Sequence, residues 1–379
     1  MPYQVAGKFH DCFQHVEDPR VEGRITHSLH SILFIVVCAT IADADGPAEI
    51  EEFAIQKRDW LERFIDIEDG IPSHDTIGRV LAVIKPIQFQ QALVEWTNQL
   101  RAGRSNDGSP RLVQIDGKTS RGSYTERDKS DALHIVGAWA SEEGLAMGQV
   151  AVDSKTNEIT VIPELIDLID IRDSIVTLDA LGCQKSIAKK IIEAGGDYIF
   201  AVKGNHPTLC AAIEQHFLAC HEQGLVESDV RSKAIKEKSR GRNEERFYGI
   251  TEIPASLRAL TDQWMGAKSI GQAVTSIENG ESWSSEVRYF LSSRSAKVNE
   301  FAKSVRSHWS IESMHWVLDV VFHEDASRIR EGHAIENLSF TRRFVITLLK
   351  QDTSKSSLKS KRKAAGWNTD FLEKLLFGA

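Results

Sequence analysis

LVQIDGK, residues 112–118, marks the point where the chain changes period. Leu112, Val113 and Ile115 form a short apolar run closed by Asp116 and Gly117, the pattern of a strand that ends on an acid. The same ending recurs at residues 174–179 (SIVTLD), where a second strand closes on Asp179. A third strand, residues 197–202 (DYIFAV), runs into Lys203, Gly204 and Asn205. Residues 132–140 and 145–152 add two more, joined by a turn at 141–144. Between the later strands, 157–170 and 184–194 carry helical spacing, with Ile162, Leu165, Ile166 and Ile169 on one face of the first. Strands alternating with helices predict an α/β domain with part of its sheet parallel. Open α/β sheets gather ligands and catalytic groups beyond their C-terminal strand ends, where Asp116 and Asp179 stand. A single strand-end Asp is commonly a cap on the next turn; two of them together point to a site.

Upstream, residues 1–101 predict an all-helical domain. Helices are expected over 30–42, 48–64 and 89–100, and Ser73 caps another that carries Ile77, Val80, Leu81 and Ile84 before Pro86 stops it. His74 and Asp75 fall in that cap, a structural reading rather than a catalytic one. Residues 102–110 (AGRSNDGSP) form the boundary. The α/β domain then spans 102–350, interrupted at about 223–292 by a β-rich insertion with strands near 247–253, 269–276 and 286–291 and a basic loop over 231–246. A helix over 337–349 leads into a basic C-terminal tail, 351–379, whose Ser- and Lys-rich start is expected to be mobile.

Composition narrows the class. With 41% hydrophobic residues in 379 the chain can bury a substantial core. The longest apolar run, residues 32–42, is far short of the roughly 20 needed to span a bilayer, so a cytoplasmic protein without a membrane partner is expected. Five cysteines without a C-x-x-C pair argue against a disulfide framework and predict small buried side chains. The net charge of −8 arises entirely in residues 1–100, where 8 bases face 16 acids; the remaining 38 bases and 38 acids cancel. Residues 231–246 carry seven bases against three acids and 350–363 six against one, patches suited to a polyanion whatever the global sum.

The densest chemistry lies in RSHWSIESMHWVLDVVFHEDASRIR, residues 306–330. His308, Glu312, His315 and Asp319 recur at helical spacing and share one face, flanked by Trp309 and Trp316 on one side and Ile311 and Leu318 on the other. Two readings stay open. The four side chains could hold a transition metal by themselves, since imidazoles suit Zn²⁺. Alternatively Glu312 joins Asp116 and Asp179 around two Mg²⁺ ions, which take hard oxygen ligands and can activate both sides of a phosphodiester.

IDGKTSRGS at 115–123, TNEI at 156–159, TLDALGCQK at 177–185, AVKGNHPTL at 201–209 and HWSIESMHWVLDVVFHEDASRIR at 308–330 together resemble bacterial insertion-sequence DDE transposases of the H-repeat-associated (Rhs element, ISAs-type) family. DPR at 18–20 and GIPSHDTIGRV at 70–80 resemble the helical module that precedes the catalytic domain there, so the resemblance spans nearly the whole chain. It implies an RNase H-like catalytic core and an Asp-Asp-Glu triad of Asp116, Asp179 and Glu312. The interval 312 − 179 = 133 leaves room for the β-rich insertion. It also implies two Mg²⁺ ions, with Mn²⁺ as a substitute. The implied substrate is double-stranded DNA, as terminal inverted repeats and target, and the reaction is nicking at the element's ends followed by attack of a 3′-hydroxyl, without a covalent enzyme intermediate. A homodimer in a synaptic complex and a bacterial cytoplasmic location, at the nucleoid when DNA-bound, follow from the same resemblance.

There are departures. Where a broader group of relatives has Tyr, Arg and Lys around the Glu, this chain has Val305, His308 and Asp319, and Ser313 replaces a usual Asn. Phosphate-gripping roles therefore pass to other bases: Lys118, Arg121, Lys203, Asn205, Arg306, Arg328 and Arg330 are expected at the DNA backbone. His308, His315 and Asp319 become groups that support the carboxylates. Trp309 and Trp316, at helical spacing, are expected in the core, with stacking on an extruded base as the other option. A relative that only binds DNA, and a metal-dependent nuclease without strand transfer, are the alternative functions.

Overall fold

A computed structural model describes residues 9–101, 108–123, 132–152, 157–225, 228–239, 242–279 and 282–378. Thr156 of the TNEI motif and most of the expected boundary segment, residues 102–107, lie outside them. The first hundred residues form the predicted helices: α1 (Leu29–Ile41), α2 (Pro47–Gln56), α3 (His74–Val83) and α4 (Pro86–Arg101). Ser28 and Ser73 start α1 and α3 by accepting backbone N–H bonds from Ser31 and Thr76. Helix α1, apolar all round, is the central rod of this bundle and is buried along almost its whole length.

The period-2 segments then build β1 (Arg111–Thr119), β2 (His134–Ala140) and β3 (Leu145–Val152), followed by α5 (Glu158–Leu168), β4 (Ser174–Leu178), α6 (Lys185–Glu193), β5 (Asp197–Val202) and α7 (Pro207–Gln223). The insertion supplies β6 (Arg231–Ser239), β7 (Arg242–Glu252), β8 (Ser269–Asn279) and β9 (Ser282–Ser292). These strands make one sheet in the order β3-β2-β1-β4-β5-β9-β8-β7-β6. β1, β4 and β5 run parallel at its centre, and the flanks are antiparallel. The segment expected as a basic loop over 231–246 is instead the hairpin β6–β7. Its strands alternate lysines with smaller and apolar residues, a strand period hidden under the charge count.

Alternation along the central strands decides which face each residue serves. Val113, Ile115, Val176, Leu178, Tyr198 and Phe200 pack with residues of α5, α6 and α7 on one face. Leu112, Ile175 and Ile199 pack on the other, against Phe301, Ala302 and Val305 of α8 (Val298–Val320). Asp116 shares the parity of Leu112, and Asp179 that of Ile175, so both acids belong to the α8 face.

Beyond α8, the chain forms α9 (Ala334–Gln351), α10 (Leu358–Trp367) and α11 (Thr369–Phe377). The tail expected to be mobile is thus folded. Ala365, Leu372 and Leu376 join the same core as Phe34, Ile77, Ile311, Leu318 and Phe344, and Arg362 is completely buried. One apolar core therefore ties the helical domain to the second half of α8 and to the tail. All five cysteines are free, and four are buried, as expected of small core residues.

Candidate active site

The register of β1 on β4 pairs Gln114 with Thr177, so Asp116 and Asp179 stand two residues further along neighbouring parallel strands. Helix α8 crosses above them and is fastened to the same face residue by residue. Gln114 Nε2 donates to Ser307 Oγ at 3.2 Å, Thr177 Oγ1 lies 3.0 Å from His308 Nδ1, and Lys118 Nζ sits 2.6 Å from Asp319 Oδ1. His315 Nδ1 stands 3.8 Å from Asp116 Oδ2. Beyond the ends of β4 and β5, Glu312 reaches a cavity of about 200 Å³ that it shares with Asp179, Lys203 and Arg288 over a floor of Ile199, Ala201 and Phe290.

Electrostatics single out Asp116. Burial pushes its carboxyl up to about 7; the Gly117 N–H opposes this, while the charges of Asp179, Glu158 and Glu312 add to it. Burial also raises Glu312, with Arg288 pulling it back. The two imidazoles move the other way. Burial holds His308 below its usual range, and it drives His315 down to about 3 with help from Arg343 and Lys118. Both rings are therefore neutral near pH 7, and His315 orients Asp116 without countering its charge. Among the described residues no Lys or Arg forms an ion pair with Asp116, Asp179 or Glu312.

Several expected roles change in place. Lys118 is buried and paired with Asp319, Glu324 at 3.5 Å and Asp325 at 3.2 Å, so it braces the site from within instead of facing DNA. Asp179 does cap its turn, Oδ1 accepting from the N–H groups of Leu181 and Gly182, and Asn205 donates to the Ala180 carbonyl in that same turn. Arg306 pairs with Glu237 of the insertion at 2.7 Å. Arg121 and Lys203 are exposed. Arg328 and Arg330, also exposed, line a separate groove with His74 and Arg79 of α3.

Trp309 and Trp316, expected in the core, are 45% and 60% exposed. The Arg288 guanidinium covers the Trp309 ring at 4.4 Å, a contact from a distant strand that helical spacing cannot reveal. The helical stripe does not converge on one ion: His308, His315 and Asp319 each engage a different strand residue. Among the described residues no three His, Cys, Asp or Glu side chains are close enough to hold a metal, which removes the four-ligand zinc reading. Sequence reasoning missed Arg288, Glu324, and the pair His134 and Glu158. Only Glu158 carried a signal, as part of TNEI.

Comparison with known proteins gives a consistent family. The family described as "DDE_Tnp_1-associated" matches residues 10–97, and the one described as "Transposase DDE domain" matches 107–348. YncI of Escherichia coli O157:H7, named a candidate transposase, is 39% identical over 373 residues, covering 97% of this chain and 93% of that protein. YhhI of Escherichia coli K12, named an H repeat-associated candidate transposase, is 39% identical over 370 residues, 96% of each. YbfQ of the same strain, named an inactive transposase, is 42% identical over 65 residues, 17% of this chain and 77% of that protein. A solved chain from a piggyBac transposase synaptic complex with hairpin DNA aligns at TM-score 0.44 and 9% identity, over 99% of this chain and 80% of that one.

Proposed function

We propose, from the premise that this chain belongs to the DDE transposase family, that it cleaves DNA at the ends of an insertion element and joins the freed 3′-hydroxyls to target DNA. Family membership makes it a DNA transposase, an enzyme that cuts and rejoins DNA. The residues and the chemistry are our reading, and what carries it is the gathering of Asp116, Asp179 and Glu312 without a basic partner. The parallel trio β1, β4 and β5, with the β2–β3 hairpin beside it and α8 across one face, supports an RNase H-like core.

Hard carboxylate oxygens lacking a Lys or Arg suit Mg²⁺, or Mn²⁺ in its place, and Asp116, Asp179 and Glu312 would hold it. When bound, the cations supply charge neutralisation at the scissile phosphate and a more acidic attacking hydroxyl. In the first step a water oxygen bonds to phosphorus as the P–O3′ bond breaks, freeing a 3′-hydroxyl. In the second that hydroxyl attacks a target phosphodiester, whose own 3′-oxygen leaves. The chain's part is to place the acids: β1 and β4 fix the two aspartates, the Asp179 turn is held by its own cap and by Asn205, and His315 orients Asp116. Exposed Lys203 and Arg121 are suited to flanking phosphates, with Arg328 and Arg330 further along. Holding two element ends together calls for a homodimer.

The test is strand transfer on DNA bearing the element's terminal repeats with Mg²⁺ or Mn²⁺. Asp116→Asn, Asp179→Asn and Glu312→Gln should each cut product formation about a thousandfold or more. DNA binding in chelator should persist in all three. Wild-type rates in any of them would overturn the assignment of that residue.

A further inference from the structure

We propose that Glu158, held by His134, is a fourth acidic group of the cation-binding site formed by Asp116, Asp179 and Glu312. This rests on the reading of those three residues given above and extends it to a side chain from the opposite face of the sheet.

Three observations place Glu158 there. It lies in the first turn of α5, where the helix N-terminus favours a carboxylate. His134, the first residue of β2 and opposite Thr119 in the β1 register, joins it at 2.6 Å through Nε2, while Nδ1 lies 2.8 Å from Thr119 Oγ1. The chain Thr119, His134, Glu158 thus fixes the carboxylate against β1. Third, the pair fills the space beside the backbone next to Asp116. A Cβ on Gly117 would come within 2.3 Å of Glu158 Oε1 and 2.6 Å of His134 Nε2, so only glycine leaves room for it.

The surrounding charges fit an acid awaiting a cation better than an ion pair made for stability. His134 is the sole basic side chain paired with Glu158 among the described residues, and Lys118, one residue from Gly117, is committed to Asp319, Glu324 and Asp325. Glu158 is also among the charges that act on Asp116, together with Asp179 and Glu312. A carboxylate hydrogen-bonded through an imidazole is the arrangement by which proteins orient metal ligands. This gives TNEI a function: to deliver Glu158 at the start of α5, behind the strand that carries Asp116.

The experiment measures Mn²⁺ binding to the full-length chain without DNA, by the electron paramagnetic resonance of free Mn²⁺, for wild type, Asp116→Asn and Glu158→Gln. Glu158→Gln keeps the shape and removes the charge, and should weaken Mn²⁺ about tenfold, as should Asp116→Asn. As a second measurement, the Mn²⁺-dependent rise in melting temperature is taken for each variant relative to its own metal-free melt, so that lost stability does not imitate lost binding. If Glu158→Gln matches wild type in both while Asp116→Asn is impaired, the inference about Glu158 is overturned and the reading of the triad stands. If Asp116→Asn also binds Mn²⁺ like wild type, the triad reading falls and this inference with it.

Discussion

Lys118 Nζ lies 2.6 Å from Asp319 Oδ1, tying the strand that carries Asp116 to the helix that carries Glu312. The same ammonium serves Glu324, which is 1% exposed and also pairs with Arg343 at 3.2 Å. Replacing Lys118 by Met leaves Asp319 and Asp325 without this partner and weakens the compensation of Glu324. A loss of about 3 kcal/mol in folding stability is expected, since a stranded buried charge is costly. Urea unfolding checks the figure. A lysine that served only DNA would behave differently, with unchanged unfolding and a shallower salt dependence of DNA affinity.

Asn205 offers a second separation of roles. Its amide donates to the Ala180 carbonyl, inside the turn that Asp179 caps. Asn205→Ala should therefore loosen the Asp179 carboxylate and slow strand cleavage about ten- to hundredfold, the usual cost of a misplaced catalytic group. Affinity for end DNA in chelator should change little. Reduced affinity with an unchanged cleavage rate at saturating DNA would instead make Asn205 a backbone contact.

How much of this was legible beforehand depends on distance along the chain. The strand-end positions of Asp116 and Asp179 and the α8 stripe are local patterns of period 2 and 3.6, and they emerge where expected. The burial of Lys118 is not local, because Asp325 lies 207 positions away. Trp309 and Trp316 show the same limit from the other side: helical spacing predicts a core, yet they lie on a part of α8 left open to solvent, and Arg288 reaches Trp309 through an insertion strand. Charge counting misled twice. It drew a loop where lysines alternate along β6, and a mobile tail where α10 buries its Lys361 and Arg362.

Glu336 supplies a pH dependence independent of the site. Burial, with Glu164 nearby, pushes its carboxyl up to about 7 from an ordinary value of 4.5. Between those values the folded chain keeps a proton that the unfolded chain releases, so this group makes folding less favourable as pH rises through that window. The effect is on the order of 1–3 kcal/mol. Unfolding midpoints at pH 5 and pH 8 should thus converge in Glu336→Gln, which has no charge to bury, with the gain confined to pH 8. An equal shift at both values would show that packing, and not the proton, is responsible.

Arg362 carries the strongest expectation for the tail. Its guanidinium is fully buried, covers the Phe322 ring at 4.0 Å and pairs with Asp43 at 3.1 Å and Asp45 at 3.0 Å. It also donates to the carbonyls of Thr40, Ala44 and Val321, which satisfies the C-terminal end of α1 and the end of α8 from a single side chain. Arg362→Met removes all of these at once and should destabilise the chain by about 3–5 kcal/mol. Arg362→Lys should recover little, because one ammonium cannot span acceptors set out for a planar fork. Lys359→Ala and Lys363→Ala, exposed on the same helix, are the controls and should stay within about 0.5 kcal/mol of wild type. Removal of residues 352–379 should then unfold the helical domain along with the tail, since α1 loses both its cap and the apolar cover of Leu372 and Leu376. Far-UV circular dichroism reads that loss directly, and a truncated chain with full helical signal and a wild-type melt would refute it.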